Sequence, residues 1–505
     1  MKNKKIKPIL NKVLEHRGIE DKKFFLDPSL DYLSDFGEIK GAKKTAAELK
    51  KVIKNNKKVI IFGHDDVDGI SSTIILYEFL KQTGIEDVSY YIPNRNIHKF
   101  GLDKNFLQKV IAEEYEVVIT VDIGIAEKNA VKYLLENHIK TIIIDHHNIT
   151  AELPQAAAIC DPKLAGDDCK LNILAGAGVV YHVLRGVNKK LLRDFDIILC
   201  GLGTLADRVA LLRDNRIFSR YVYKNLFNTD NTFIDFFIEN NKELTTQALI
   251  KKLIIILTIA RSKKGEHSGL KLLLESDIKK VMKIYKELER EYKQNELKKD
   301  KVKSIISTEY KNSPDNNIFF YFDNNREIPV PFLGLAASFV ADNYKKPCMI
   351  LSYLDVDTIN GECRGPGNFD WVENLAKLKD LLVNYGGHKR AAGFTAKPEN
   401  VEKIKQRIKK IAKEYEPVEA KKVTADYSFD NFAEYLKIKE AVSEKLAPFG
   451  KKNPLPVYEI NQVKSEKLRN HLCSDTNLNI DKEIKAIISF NNQKNCTNLI
   501  KFEHK

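Results

Sequence analysis

Short runs of apolar, mostly β-branched residues recur through the first half of the chain, at 59–62, 88–92, 117–121 and 141–144. Between them, at 72–83, 104–114 and 127–137, apolar residues return at the three- and four-residue intervals of a helix. Strand and helix alternating at this spacing predict a mostly parallel sheet with helices on both faces. A helix over 43–55 leads into the first strand, and short helices broken at Asp27-Pro28 precede it. Beyond 225 the pattern is helical and ends in a charged run at 276–307 without Pro or Gly, which predicts a long solvated helix. A second, smaller α/β pattern follows, with strand-like IFFYF and CMILSYL and helices at 335–343 and 399–412. From about 421 the chain reads as short strands.

This pattern divides the 505 residues into an N-terminal helical wrap (1–45), a parallel-sheet domain (46–225) and a helical section with the long connecting helix (226–310). A smaller α/β domain (311–415) and a C-terminal β domain (416–505) complete the α/β chain. An apolar fraction of 43% is ample for packed cores, no window suits a membrane span, and the start lacks the apolar region of a signal peptide. Seven scattered cysteines without a CxxC pair argue for reduced thiols, a cytoplasmic location and no structural zinc. The formal charge of +14 fits a phosphate-bearing polymer as partner. A Lys-rich bias along the whole chain would give the same charge, so charge alone does not decide.

The chemistry is concentrated after the strands. GHDDVDG places His64, Asp66 and Asp68 at every second position, so in an extended strand tip all three would face one spot. The third strand runs into Asp122 and the fourth into Asp145-His146-His147. A fourth segment supplies Asp207, followed by Arg208, Arg213 and Arg216. Each alone has an ordinary explanation as a helix cap or polar turn. Together they lie where open α/β sheets bind ligands, beyond the carboxyl ends of the strands, and they predict a two-metal site. Carboxylates with imidazoles and no thiolate favour Mg²⁺ or Mn²⁺ over zinc, and Asp122 is the natural bridge between two ions.

The set HDDVDG, VDIG, DHH and GTLAD resembles the motifs of the DHH phosphoesterase superfamily. The flanks RGIEDKKFFLDPSL, YYIPNR, LPQAAAICDPK, LAGAGV and GTLADRVALLRDNR are similar to the RecJ exonuclease branch. The resemblance implies one ion held by His64, Asp66 and Asp122, and a second by Asp68, Asp122, His146 and Asp207. It also implies that His147 contacts the scissile phosphate or aids proton transfer, with Asp145 orienting an imidazole. YGGHKRAAGF resembles the signature of the DHH-associated domain, which makes Gly386, Gly387 and His388 part of a nucleic-acid clamp. Arg364 matches a phosphate-binding arginine, and Arg95 joins it. LAPFGKKNPLPVY resembles the opening of an OB-fold that holds single strands, here in trimmed form, with Phe449 and Tyr458 as stackers or, more in keeping with burial preference, core.

Three departures stand out: His64 where many relatives carry Asp, Glu362 where Ser is common, and TIARSKKGEHSG in place of an Asn-Ala-Ala-Gly-Arg stretch. The implied activity is a metal-dependent exonuclease on single-stranded DNA, 5′ to 3′, in repair or recombination, with RNA as the other polymer to test. A monomer working with a helicase or a single-strand-binding protein, away from membranes, is expected. Two rivals are a phosphodiesterase on oligoribonucleotides or cyclic dinucleotides, and a non-catalytic nucleic-acid-binding relative.

Overall fold

The structure, a computed structural model, describes residues 2–94, 101–149, 152–263, 266–313, 317–415, 424–472, 483–491 and 496–504. They form two compact units, Met1–Glu289 with Thr424–Lys505, and Arg290–Val423.

The first unit contains the predicted parallel sheet. Its strands are β1 (Val59–Gly63), β2 (Val88–Tyr91), β3 (Val117–Val121), β4 (Lys140–Ile144) and β5 (Ala158–Cys160). They lie in the order β2-β1-β3-β4-β5, every neighbouring pair parallel. All five residues of β1 and of β3 are buried, as expected when helices cover both faces. The helix after β1 begins at Val67, one turn earlier than its apolar spacing predicts, because the Asp66 side chain accepts from the Gly69 N–H as an N-cap. His64, Asp66 and Asp68 therefore converge through a tight strand-to-helix turn, not through strand alternation.

The two ends of the chain share a core. Ile6, Ile9, Leu10, Val13 and Leu14 of the first helix pack with Phe429, Tyr435, Tyr458, Ile460 and Ile488 of the C-terminal section. Arg17 pairs with Asp426 at 3.0 Å, both side chains nearly buried. Arg216, wholly buried, donates to the carbonyls of Phe25 (2.9 Å), Leu446 (3.0 Å) and Pro448 (3.4 Å).

The C-terminal section is a β sheet, as expected, and contains a helix that the reading of short strands did not include. Its strands Tyr427–Asn431, Val457–Lys464, Glu483–Asn491 and Cys496–His504 form a four-stranded sheet in that order. The first pair is parallel and the other two are antiparallel. Parallel neighbours need a crossover, and the helix Phe432–Leu446 supplies it. Phe432, Tyr435, Lys439, Val442 and Leu446 are its buried face, a helical spacing that a reading of short strands overlooked. Tyr458 is core, 1% exposed, and not a stacking platform. Five cysteines are free and buried, but Cys496 is disulfide-bonded, contrary to the expectation of reduced thiols.

In the second unit, the sheet is made of β6 (Phe319–Asp323), β7 (Cys348–Tyr353), β8 (Ile359–Arg364), β9 (Leu382–His388) and β10 (Ala391–Ala396). The order is β9-β10-β8-β7-β6. The long helix is present at Ile278–Asn312, and its Val302 and Ile306 pack against Phe319, Leu333 and Val340 of this unit. No helix among the described residues is long and apolar enough to cross a membrane.

Candidate metal centre

The predicted ligands meet at one rim of the parallel sheet. Ligand atoms of His64, Asp66 and Asp122 form one cluster within 4.8 Å of one another, and those of Asp68, His146 and Asp207 form another. Asp122 stands between them: one carboxylate oxygen is 3.8 Å from His64 Nδ1, the other 3.0 Å from His146 Nε2. His64 Nδ1 lies 2.9 Å from Asp66 Oδ2, while Asp66 Oδ1 serves as the helix cap. The capping and ligating readings of Asp66 are thus compatible, one oxygen each.

Each position has a local cause. β3 delivers Asp122 with φ 59°, a left-handed conformation that is uncommon outside glycine but that Asp tolerates. Asp68, in the first turn of its helix, accepts from the N–H groups of Gly176 (2.6 Å) and Ala177 (3.0 Å) at the start of the helix Gly176–Asn188. His146 Nδ1 faces the Leu174 carbonyl at 3.0 Å, which directs Nε2 toward the carboxylates, as a metal-ligating imidazole requires. Asp207 is the C-cap of the helix Asp194–Ala206, where the helix dipole disfavours an anion. That position makes sense when a cation is held there.

Asp145 and His147 form a second layer. The Asp145 carboxylate takes the Ile125 N–H (2.9 Å), the His146 N–H (2.7 Å) and His147 Nδ1 (2.8 Å). Burial would raise its pKa, but these hydrogen bonds and the imidazole charges hold it down at about 2. His147 is half exposed, and its Nδ1 is engaged by Asp145.

The electrostatics fit divalent cations. Burial, with Asp66 and Asp207 nearby, pushes Asp68 up to about 6 despite His146. Burial and the neighbouring Asp68 and Asp66 push Asp122 well above the usual carboxylate range. Among the described residues no lysine or arginine pairs with Asp68 or Asp122. Buried carboxylates crowded without cations are costly unless positive charge is brought to them, and an all-oxygen and imidazole donor set suits Mg²⁺ or Mn²⁺.

Two glycines of this site, in LAGAGV and GTLAD, were given no role by the sequence reading. A Cβ on Gly176 would lie 2.7 Å from Asp122 Oδ1, and one on Gly203 would overlap Asp68 Oδ1. They keep helices close to the carboxylates, so Gly203→Ala is expected to displace Asp68. Metal-dependent activity should fall roughly 100-fold, the scale of a lost supporting contact around a metal. A titration of activity against Mn²⁺ checks this, since the loss should appear first as a raised metal requirement.

The second unit holds the remaining residues. Ala391 pairs with Arg364 on one side and with His388 on the other, so those two side chains share a sheet face. The edge strand β9 is exposed from Val383 to His388, with Gly386 opening onto free space and Gly387 at φ 135°. Arg364 Nη1 is held by Glu362 Oε2 at 2.8 Å. Arg95 lies outside the described residues.

Comparison with known proteins agrees with this geometry. Residues 58–202 match the DHH family, N-terminal domain, and residues 331–414 match the DHHA1 domain. The parallel sheet and its acidic rim lie within the stretch that matches the DHH family. Within that class, the single-stranded-DNA-specific exonuclease RecJ of Bacillus subtilis (strain 168) is 27% identical over 490 residues, 92% of this chain and 60% of that protein. RecJ of Thermus thermophilus is 26% identical over 88% of this chain and 64% of its own length. A crystal structure of RecJ from Thermus thermophilus in complex with Mn²⁺ superposes with a TM-score of 0.75 at 21% identity, covering 98% of this chain and 76% of that one. The chain thus carries matches to the DHH and DHHA1 domains and is similar to RecJ proteins over most of its length. It spans 60% of the length of its Bacillus subtilis relative.

Proposed function

We propose that this protein is a metal-dependent exonuclease that hydrolyses phosphodiester bonds of single-stranded DNA, releasing nucleotides from the 5′ end. The observation that carries the reading is the buried Asp122 carboxylate between two ligand clusters of composition suited to Mn²⁺ or Mg²⁺. The relatives named RecJ, and a RecJ structure that contains Mn²⁺, support the same chemistry. His64, Asp66 and Asp122 would hold one ion; Asp68, His146 and Asp207, with Asp122, the other. Bound there, such ions would activate water and neutralise charge developing on the phosphodiester.

The chain's own groups do the rest. Asp145 fixes the His147 ring through Nδ1, which leaves Nε2 to contact the scissile phosphate or pass a proton to the leaving oxygen. Arg364, Gly386, Gly387 and His388 offer a phosphate-binding face on the second unit, and Arg95 is assigned to the same task. Cytoplasmic work with a helicase or single-strand-binding protein follows from such a substrate.

A long single strand labelled at either end tests the proposal. The 5′ label should leave first as mononucleotide, only with Mn²⁺ or Mg²⁺, and faster than a dinucleotide is cleaved. A preference for the dinucleotide would favour the small-substrate phosphodiesterase, and turnover indifferent to chelator would exclude the two-ion chemistry.

Glu362 yields a further expectation. Its carboxylate compensates Arg364 and would repel a terminal phosphate. Glu362→Gln should raise the preference for a 5′-phosphorylated over a 5′-hydroxyl strand about tenfold, the effect of ~1.4 kcal/mol. Competition between the two strands in one reaction measures it, and an unchanged ratio would show that Arg364 does not read the end group.

A further inference from the structure

The helix Val401–Lys413 of the second unit packs Ile404 and Ile408 against Met349, Cys363 and Phe394, on one face of that unit's sheet. Arg364 follows Cys363 on β8 and pairs with Cys348, which lies on the other face with the helix Leu333–Tyr344. Arg364 and His388 are therefore on the opposite side of the sheet from the helix Val401–Lys413. The outer side of this helix is strongly basic. Along its 13 residues stand Lys403, Lys405, Arg407, Lys409, Lys410 and Lys413 against one carboxylate, Glu402. Lys405 faces Glu402 at 3.6 Å, and Arg407 pairs with Asp380. Lys403, Lys410 and Lys413 are exposed, and none has an acidic partner among the described residues. With Gln406 they form one row along the helix, about 15 Å from first to last. The helix dipole accounts for cations in the last turn, Lys410 and Lys413, but disfavours Lys403 in the first. An ordinary solvated face mixes both signs of charge, as the long helix Ile278–Asn312 does.

We infer that this face docks the phosphate backbone of double-stranded nucleic acid. A straight row of unpaired cations on a rigid helix suits the straight, densely charged edge of a duplex. The helix has no aromatic residue, and so no platform on which unpaired bases would stack. Its ligand is therefore a duplex and not a single strand. Docking there goes beyond the nuclease reading: the duplex is held, not cleaved, and the metal centre takes no part. It anchors the protein where a single strand leaves a duplex.

Binding of a fluorescein-labelled blunt DNA duplex of about two helical turns, followed by anisotropy with chelator present, tests the surface. One variant carries Lys403→Gln, Lys410→Gln and Lys413→Gln together. A control carries Lys279→Gln, Lys283→Gln and Lys286→Gln, exposed on the long helix, so both variants lose the same charge. The first should weaken duplex binding about tenfold or more and lessen the slope of log K against log salt by about 2.7, three contacts at about 0.9 each. The control should change both far less, and a labelled thymidine oligomer should lose no more affinity in the first variant than in the control. Thermal melts confirm that the variants fold. Equal losses of duplex binding in the two variants would show that net charge and not this row binds the duplex. A parent that binds no duplex, or that gives it up to polyglutamate of equal charge, would also overturn the proposal, the latter in favour of an acidic protein partner. Hydrolysis of a labelled single strand with Mn²⁺, read on the same proteins, shows failure of the nuclease reading separately.

Discussion

Asp122→Ala is expected to lower hydrolysis of a single strand by on the order of 10³-fold or more, above the usual loss for one preorganised charge partner. The excess arises because Asp122 serves both ligand clusters. One oxygen faces His64 and the other faces His146, so a single truncation opens both sides. The cost should lie in kcat with a raised Mn²⁺ requirement, and strand affinity measured under chelation should be unchanged. A second readout is stability. Mn²⁺ should raise the melting temperature of the parent protein, since it neutralises the buried Asp68 and Asp122, and should do so much less in the variant. Equal activity in the two proteins would mean that the chemistry is elsewhere.

Arg216→Ala is expected to destabilise the first unit by about 3 kcal/mol or more, because several buried carbonyls lose their donor at once. The guanidinium lies 4.1 Å from the Phe25 ring and joins the N-terminal wrap, the metal domain and the loop after Leu446. Burial, with Arg220 and Arg17 near it, pushes its pKa down to about 9, and carbonyl dipoles and the Phe25 ring face the charge. Arg216→Lys should not rescue, since one ammonium cannot reproduce a planar fork of donors. Thermal melts with limited proteolysis check this: the variant should release its C-terminal section at a temperature where the parent is intact. Parent-like melting would contradict the assignment.

Most of the candidate ligand cluster was legible in the sequence because the rule for open parallel sheets is local: strand ends carry their own polar clusters, while Asp207 comes from a helix end. Asp122 and His146 follow directly from that rule. His64, Asp66 and Asp68 were found by the right spacing for an incomplete reason, since Asp66 turns the chain into a helix before Asp68. What lay outside a sequence reading were contacts between distant segments. Gly176 and Gly203 matter only through the carboxylates that press on them. Arg216 sits in a motif beside Asp207, yet its partners Leu446 and Pro448 are more than two hundred residues away. The parallel pair of the C-terminal sheet depended on the helix Phe432–Leu446, whose buried face repeats at three and four residues.

Anomalous scattering from crystals grown with Mn²⁺ tests the central claim most directly. Two peaks per chain are predicted, one among His64, Asp66 and Asp122 and the other among Asp68, Asp122, His146 and Asp207. An empty rim, with those side chains turned toward lysines or arginines, would contradict it.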